Sequence, residues 1–248
     1  MRVSGPEAAS YLERMVSNEV ESLDLGAACE ALLLTAKARV IAPLIVWRRG
    51  HDDFLLLTEP EQGERVAAEL RRSRFATKVD IEPEQHYSLL VFGGGEGIPN
   101  RDYGVEAVEV LDAPAPDGAE PVGADELELL RIRARTPRLG RELDDRVLPA
   151  EAGLDERAIS FTKGCYPGQE PVARLHYRGR ANRGLRLLEL EGEELPAYDA
   201  PLELDGKVVG RVTSAAVDGN RVVALGYVRR EVPPGAELRS GDRPVRQS

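Results

Sequence analysis

The sequence predicts an α+β fold that is followed by an all-β C-terminal unit, and two patterns carry that prediction. Up to about residue 183, short apolar runs typical of strands alternate with stretches of helical periodicity. From residue 184 onward, turn sequences such as Asp205-Gly206 and Asp218-Gly219 divide short apolar runs. These runs predict strands at 185–190, 202–204, 208–213 and 222–228. Regular short strands with Asp-Gly turns are typical of a small barrel or sandwich. We therefore expect two regions, residues 1–183 and 184–248.

Up to about residue 92, the first region is predicted to contain two helices and a group of strands. Apolar residues recur at helical spacing within residues 1–20, which predicts one helix there. The spacing of apolar residues from Glu61 to Phe75 predicts a second helix, which is amphipathic. Short apolar runs predict strands at 31–34, 40–47, 54–57, 78–82 and 87–92. The resulting order, three strands, a helix and a strand, predicts one α/β part that covers about residues 31–85.

Two stretches rich in glycine or proline separate the later elements. Gly93 to Gly97 lacks the Lys-Ser/Thr ending of a phosphate-binding loop and the spacing of a dinucleotide fingerprint, so we interpret it as a turn. Residues 113–123 contain three prolines and two glycines and are predicted to form a long loop. A helix should follow, capped by Asp125 and running to about Arg135.

Composition narrows the classes of protein. A content of 42% hydrophobic and 31% charged residues is typical of a soluble globular chain. No apolar run reaches the ~18 residues that span a membrane, and the start has no apolar signal-peptide core, so we expect a cytoplasmic protein without a membrane partner. Three histidines with Cys29 and Cys165 form neither a zinc nor an iron–sulfur ligand set, and no metal site is predicted.

The net charge of −10 argues against duplex nucleic acid as a partner of the whole surface. One stretch, residues 171–186, departs from this balance because it contains arginines and one histidine but no acid. It is either a solvated basic loop or strand edge, or a local site for polyglutamate, phosphate or single-stranded RNA. We call it the arginine window; its arginines are Arg174, Arg178, Arg180, Arg183 and Arg186.

The most informative stretch runs from Phe161 to Glu170 and contains Cys165 with glycines on both sides. A nearby positive charge, here Lys163, favours the thiolate, which is the reactive form of cysteine. Pro171 suits the first turn of a helix, and backbone N–H groups at such a helix start also favour a thiolate. We predict that Cys165 is a functional thiol, the alternative being a buried inert cysteine. Cys29, which has small apolar neighbours, is predicted to pack in the core.

The run Lys163-Gly164-Cys165-Tyr166, followed after one residue by Gly168-Gln169-Glu170, resembles the signature of the YgfZ family, which is related to the T-protein (aminomethyltransferase) of the glycine cleavage system. Residues 149–154, 158–161 and 172–174 agree with that resemblance, as do residues 3–9 and 16–20 near the N-terminus. The resemblance implies a T-protein-like arrangement of two interwoven α/β parts around a central channel plus a C-terminal β-barrel.

The resemblance also implies a function and a site. Members of the family are folate-binding proteins that support the assembly or repair of iron–sulfur proteins, including enzymes that modify tRNA. The implied cofactor is tetrahydrofolate, and the implied partners are a folate or similar anionic small molecule and iron–sulfur client or assembly proteins. The arginine window adds RNA as a candidate partner. The predicted site consists of Cys165 and Lys163 as the reactive pair and of the ligand-binding residues Tyr166, Gly168, Gln169, Glu170 and Arg174.

The sequence departs from the T-protein pattern at the pterin-binding acid. T-proteins have an L-R-x-E-x-G pattern whose glutamate binds the pterin ring, but this chain has Arg133 in that place and Arg135 in place of the glycine. Arginine has no acceptor, so pterin binding would require another acid, such as Glu128 or Glu142. The catalytic aspartate motif is also missing, and Asp102 is the nearest match. We therefore favour the accessory role; a one-carbon transferase and an RNA-binding module are the alternatives.

Overall fold

The structure is a computed structural model that describes residues 1–247. Its α-helices are α1 (Ala8–Met15), α2 (Gly63–Arg72), α3 (Ala124–Arg133), α4 (Asp155–Ala158) and α5 (Gln169–Arg178). Two short 3₁₀ helices cover Pro60–Gln62 and Pro149–Glu151. Within residues 1–247, no helix has both the length and the apolar character that crossing a membrane requires.

The first sheet is antiparallel and has the strand order β2-β3-β4-β1-β5. Its strands are β1 (Arg2–Ser4), β2 (Ala28–Leu34), β3 (Val40–Gly50), β4 (Asp53–Leu57) and β5 (Asp80–Glu82). The prediction of a helix over residues 1–20 was wrong at both ends, because α1 already ends at Met15. At its start, Val3 is fully buried and pairs with Phe54 on one side and Ile81 on the other. Pairing on both edges places the N-terminal residues inside the sheet, and the helix begins only at Ala8.

The second sheet is small and has the order β6-β8-β7, with β6 (Ser88–Phe92), β7 (Ile98–Asn100) and β8 (Ala107–Leu111). The predicted turn at Gly93 to Gly97 is confirmed, and the predicted loop at 113–123 contains neither helix nor strand. The helix after that loop was predicted with the wrong cap. Gly123 occupies the N-cap of α3, whereas Asp125 lies in the first turn, where its charge still favours the positive end of the helix dipole.

The C-terminal region is a closed antiparallel barrel with the order β10-β11-β12-β9-β14-β13. This confirms a barrel over a sandwich. Two closing strands were not predicted, because both are short and mostly polar. The six strands are β9 (Arg183–Glu191), β10 (Pro201–Leu204), β11 (Lys207–Asp218), β12 (Arg221–Arg229), β13 (Leu238–Ser240) and β14 (Arg243–Gln247).

The apolar core is divided among several clusters. One lies between the first sheet and helices α1 and α2, and another fills the barrel. A third joins the first sheet to the loop before α5 and to Tyr227 of the barrel. A fourth packs Ile132 of α3 against Val223 and Leu225 of β12. The segment with Cys165 therefore lies where the α/β region meets the barrel.

Candidate functional site

The loop between α4 and α5, residues 160–168, is hereafter the signature loop. It lies against a segment that follows α1, residues 16–21, which we call the N-terminal strap. The backbone N–H of Ser160 donates to the carbonyl of Ser17 at 2.9 Å, and the hydroxyl of Ser17 donates to the carbonyl of Ala158 at 2.6 Å. Two segments that are distant in sequence are thus hydrogen-bonded along their length.

A carboxylate in the strap strengthens this attachment. One oxygen of Glu19 accepts hydrogen bonds from the hydroxyls of Ser160 at 2.8 Å and Thr162 at 2.9 Å. These bonds, above all the one from Ser160, lower the pKa of Glu19 from its ordinary value. Because both donors come from the signature loop, ionisation of Glu19 is coupled to the position of that loop.

Lys163 points into the protein. Its ammonium group donates to the carbonyls of Val16 at 2.9 Å and Asn18 at 2.5 Å and lies 3.4 Å from the Glu13 carboxylate. Its side chain is 0% exposed, and burial lowers its pKa. The predicted pairing of Lys163 with the thiolate of Cys165 is not supported by this geometry, because the ammonium already has three partners inside the protein.

The charge of Lys163 acts on the other cysteine. Cys29 is half-buried, and its Sγ donates to the carbonyl of Glu19 at 3.4 Å. Burial raises the pKa of Cys29 to about 12, against the opposing effect of Lys163. The prediction that Cys29 packs in the core is confirmed, since it lies against the cluster of the first sheet. The two thiols of the chain are thus in opposite environments.

Cys165 is a free, exposed thiol. The alternative of a buried inert cysteine is therefore wrong. The signature loop is fixed from behind by its attachment to the strap, whereas Cys165 itself is presented to solvent. An exposed thiol on an anchored loop can reach a reactive group on another molecule.

Tyr166, the next residue, has the opposite orientation. It is 7% exposed and packs in the cluster that joins the sheet, the loop and the barrel. Its ring lies 5.6 Å from the Lys163 ammonium, and burial raises its pKa to about 12. Its hydroxyl is buried without a hydrogen-bond partner among the described residues. This placement does not support stacking of Tyr166 on a ligand.

Gly168 is the N-cap of α5, which confirms the predicted helix start. Its φ is +83°, and a Cβ at this position would lie 2.6 Å from the carbonyl oxygen of Thr35 and 3.1 Å from the Cα of Ala38. Only glycine allows this approach to the turn between β2 and β3. Gly168 thus seats α5 against the first sheet.

The other predicted ligand residues lie on α5. Gln169 donates from its side chain to the carbonyl of Gly164 at 3.5 Å, which closes the signature loop. Glu170 and Arg174 are exposed. Their assignment as ligand-binding residues stays a prediction. His176, further along α5, stacks on Phe161 with ring centroids 3.7 Å apart.

The arginine window is divided by the fold. Arg183 pairs with Glu151 at 3.2 Å, and Arg186 donates to the carbonyl of Val232 at 2.9 Å. Arg183 therefore links the barrel to the 3₁₀ helix Pro149–Glu151, whereas Arg186 forms its bond within the C-terminal region. The remaining three, Arg174, Arg178 and Arg180, are exposed.

The acids that the sequence offered as substitutes for the pterin-binding glutamate are already bonded. Glu142 is fully buried, accepts the hydroxyl of Ser214 at 2.7 Å and pairs with Arg131 at 3.2 Å. Arg131 also pairs with Glu128 at 2.6 Å. We call this group, which joins α3 to the barrel, the α3–barrel joint. Arg133 pairs with Asp218 of β11 at 2.6 Å and is half-exposed.

A third charged group was not found from the sequence. Arg157 of α4 donates to Glu30 of β2 and, at 2.7 Å, to Asp102 in the loop after β7. The second carboxylate oxygen of Glu30 is buried and has no partner among the described residues. No sequence pattern could have revealed this group, since its members come from three distant segments that only the fold brings together.

The chain is similar in sequence to an aminomethyltransferase and to an uncharacterized protein. No protein-family model matches the chain. An aminomethyltransferase of Rubrobacter xylanophilus is 27% identical over 290 aligned positions, which cover 97% of this chain and 76% of that protein. An uncharacterized protein of Haemophilus influenzae is 27% identical over 230 positions, covering 88% of this chain and 82% of that protein.

The crystal structure of glycine cleavage system aminomethyltransferase T from Bartonella henselae superposes with a TM-score of 0.83 at 20% identity, over 98% of this chain and 80% of that one. The chain therefore has the fold of aminomethyltransferase T, with mixed α/β content and a closed six-stranded barrel. Within residues 1–247, no cluster of His, Cys, Asp and Glu side chains could hold a metal ion.

Proposed function

We propose that this chain is a folate-binding accessory protein that supports iron–sulfur proteins, among them enzymes that modify tRNA, through the thiol of Cys165. The observation that carries the proposal is the exposed Cys165 on a signature loop that Glu19 and Lys163 anchor from behind. The resemblance of Lys163 to Glu170 to the YgfZ signature supplies the class of client.

In the proposed step, Cys165 becomes a ligand of an iron atom in the client's cluster. The S–H bond breaks and its proton passes to solvent, while a water or hydroxide ligand leaves the iron and a bond forms between Sγ and that iron. Neither atom changes its oxidation state. The client's cluster is the cargo, and this chain contributes a single ligand. Its other groups position that ligand: the strap fixes the loop, and Gly168 seats the helix that follows.

A folate would need an acceptor for the amidine-like edge of its pterin ring, which donates two N–H bonds. Glu142 and Glu128 are bonded to Arg131, and Arg133 has no acceptor. Glu30 keeps one buried carboxylate oxygen without a partner. This oxygen can accept one of the two N–H bonds, and we propose that Glu30 binds the ring in this way, with Arg157 holding the carboxylate in place.

Calorimetric titration with tetrahydrofolate under anaerobic conditions tests the folate half of the proposal. Saturable binding is expected, and Glu30→Gln should weaken it by about tenfold or more, since one charged acceptor is lost. Glu82→Gln, which changes an exposed acid of β5, is the matched control and should bind as the unmodified chain does. No binding near a millimolar would rule out folate.

Complementation tests the thiol half separately. In cells that lack this chain, the activity of an iron–sulfur tRNA-modifying enzyme should be restored by the unmodified chain and by Cys29→Ser, but not by Cys165→Ser. Full restoration by Cys165→Ser would contradict a role for this thiol. Because the two experiments are independent, a failure of one does not decide the other.

Aminomethyl transfer is the second candidate, and the similarity to named aminomethyltransferases favours it. Arg133 in place of the expected acid opposes it. Turnover of a methylene donor with release of tetrahydrofolate by the purified chain would favour transfer over the accessory role.

A further inference from the structure

A line of exposed arginines crosses the boundary between α5 and the barrel. Arg174 and Arg178 are four residues apart on α5 and share one of its faces, and Arg180 follows in the linker. On the barrel side, Arg229 ends β12 and Arg230 comes next. All five side chains belong to exposed residues. We call these five residues the arginine strip.

The fold joins the two halves of the strip. The backbone N–H of Arg230 donates to the carbonyl of Asn182 in the linker at 2.9 Å. Arg186 donates to the carbonyls of Arg229 at 3.4 Å and Val232 at 2.9 Å, and so fixes the segment that follows β12. The linker that follows Arg180 therefore lies against Arg230, about fifty positions away in sequence. The arginine window of the sequence contained only half of the strip.

Little negative charge compensates the strip. Among the described residues, the acid that pairs with it is Glu231, 3.6 Å from Arg229, and the two side chains are 69% and 60% exposed. Such exposed pairs are weak because water screens them. In a chain of net charge −10, this surface is a local positive potential that favours a partner with repeated negative charges.

A groove of about 370 Å³ opens beside the strip, and Arg229 belongs to both. Val208 contributes exposed apolar surface to this groove. Arg183 and Arg211, at 4.9 Å and 5.5 Å from its centre, lie over the ring of the buried Tyr227. Asp199, which pairs with Arg211, also lines the groove. The volume suits a small flat ring.

An exposed aromatic ring completes the surface. Tyr177 is 66% exposed and follows His176 on α5, next to Arg178 of the strip. Its ring is held edge-on to His176, with centroids 4.8 Å apart. Exposed aromatic faces that accompany a basic track are typical of proteins that bind single strands, since every base can stack on them.

We propose that the arginine strip, Tyr177 and the groove together bind single-stranded nucleic acid. The phosphates lie along the strip, one base stacks on Tyr177, and another enters the groove beside Val208. A base can enter only when it is unpaired, so the surface favours a single strand over a duplex. This activity goes beyond the proposed function and does not depend on Cys165.

Fluorescence anisotropy with a labelled 20-nucleotide oligouridylate tests the proposal. Binding at 50 mM NaCl should weaken about fiftyfold at 200 mM, as expected for about four phosphate contacts to a single strand. The double variants Arg178→Ala/Arg180→Ala and Arg229→Ala/Arg230→Ala should each weaken binding by about tenfold and lower the salt dependence. If only the first pair has an effect, the composite surface is wrong.

The matched charge control is Arg65→Ala/Arg72→Ala on α2, which removes two exposed arginines from another surface and should leave binding within about twofold. Tyr177→Ala should weaken binding by about tenfold, whereas Tyr177→Phe retains the ring and should not. An equal loss in both Tyr177 variants would contradict stacking.

The groove has its own pair of variants on one strand. Val208→Glu places a carboxylate in the groove, and Val217→Glu places one elsewhere on β11; the two valines are 54% and 43% exposed, so both variants should fold. Only Val208→Glu should weaken binding, by about tenfold. Tighter binding of decaglutamate than of the oligouridylate would identify an acidic protein segment instead, and equal binding of a duplex would contradict single-strand selectivity. Either result would overturn the proposal.

Discussion

The α3–barrel joint and the signature loop both contain polar residues that connect distant segments, but they differ in exposure to solvent. In the joint, the polar groups face one another: Glu142 is fully buried, and Arg131 is 3% exposed. In the signature loop, Lys163 is bonded to the N-terminal strap and Ser160 is bonded to Glu19 of that strap. Cys165 on the same loop is exposed to solvent.

This difference in exposure distinguishes groups that stabilise the fold from a group that is available to a partner. A buried charged group whose partners are all internal stabilises one arrangement and has no group left for a ligand. A loop that is anchored on one side and exposes a thiol on the other is preorganised to present that thiol. The acids considered as substitutes for the pterin-binding glutamate, Glu128 and Glu142, fall in the first class, and the thiol of Cys165 falls in the second.

The largest effect is expected in the joint. Glu142→Ala leaves Arg131 buried with one partner fewer and Ser214 without its acceptor, and should lower the free energy of unfolding by about 4 kcal/mol. Urea denaturation measures it. Asp218→Asn breaks the half-exposed pair with Arg133 and should cost only about 0.5 kcal/mol. Similar losses of unfolding free energy in both variants would contradict the distinction between the buried α3–barrel joint and the half-exposed Arg133–Asp218 pair.

The two thiols should differ in reactivity by about a hundredfold, which corresponds to ~2.7 kcal/mol. Cys165 is exposed, whereas burial raises the pKa of Cys29 to about 12 and removes its thiolate at pH 8. Titration with a disulfide reagent at pH 8 should show one fast thiol, which Cys165→Ser abolishes and Cys29→Ser retains. A fast phase that survives Cys165→Ser would place the accessible thiol elsewhere.

The next largest effect is expected at Gly168, where α5 packs against the first sheet. Gly168→Ala introduces a Cβ at positive φ and 2.6 Å from the Thr35 carbonyl, and should cost about 2 kcal/mol in the free energy of unfolding. Gly164→Ala, on the same loop, has no atom within 4 Å of the added carbon and should be nearly neutral. Equal effects would show that α5 does not depend on this close approach.

The smallest effect is expected at the strap. Glu19→Gln weakens the bonds to Ser160 and Thr162 and should cost about 1 kcal/mol at pH 7. Because the pKa of Glu19 is lowered on folding, its contribution is present above its unfolded value and is lost as the pH falls through the folded value. Unfolding followed from pH 7 to pH 3 should show the two proteins converge. A constant difference would mean that the charge is not involved.

Local patterns were sufficient for most elements. Alternating and helical periodicities placed β2 to β4, α2 and four barrel strands, because each of these segments buries one face. The first seven residues were wrongly predicted to be helical, since Val3 became a strand residue only when β4 and β5 paired on either side of it. The strands β13 and β14 were not predicted, because their stability comes from barrel closure and not from their own apolar content.

The sequence by itself determined the two regions, the position of the Cys165 loop and the start of α5 at Gly168, since turn residues and periodicity are local properties. Only the tertiary structure decided that Lys163 points inward, that Tyr166 packs, and that Arg157 meets Glu30 and Asp102. The physical reason is that the partners of a buried polar group come from any segment that the fold brings near. Its role is therefore encoded in three dimensions and not in its neighbours along the chain.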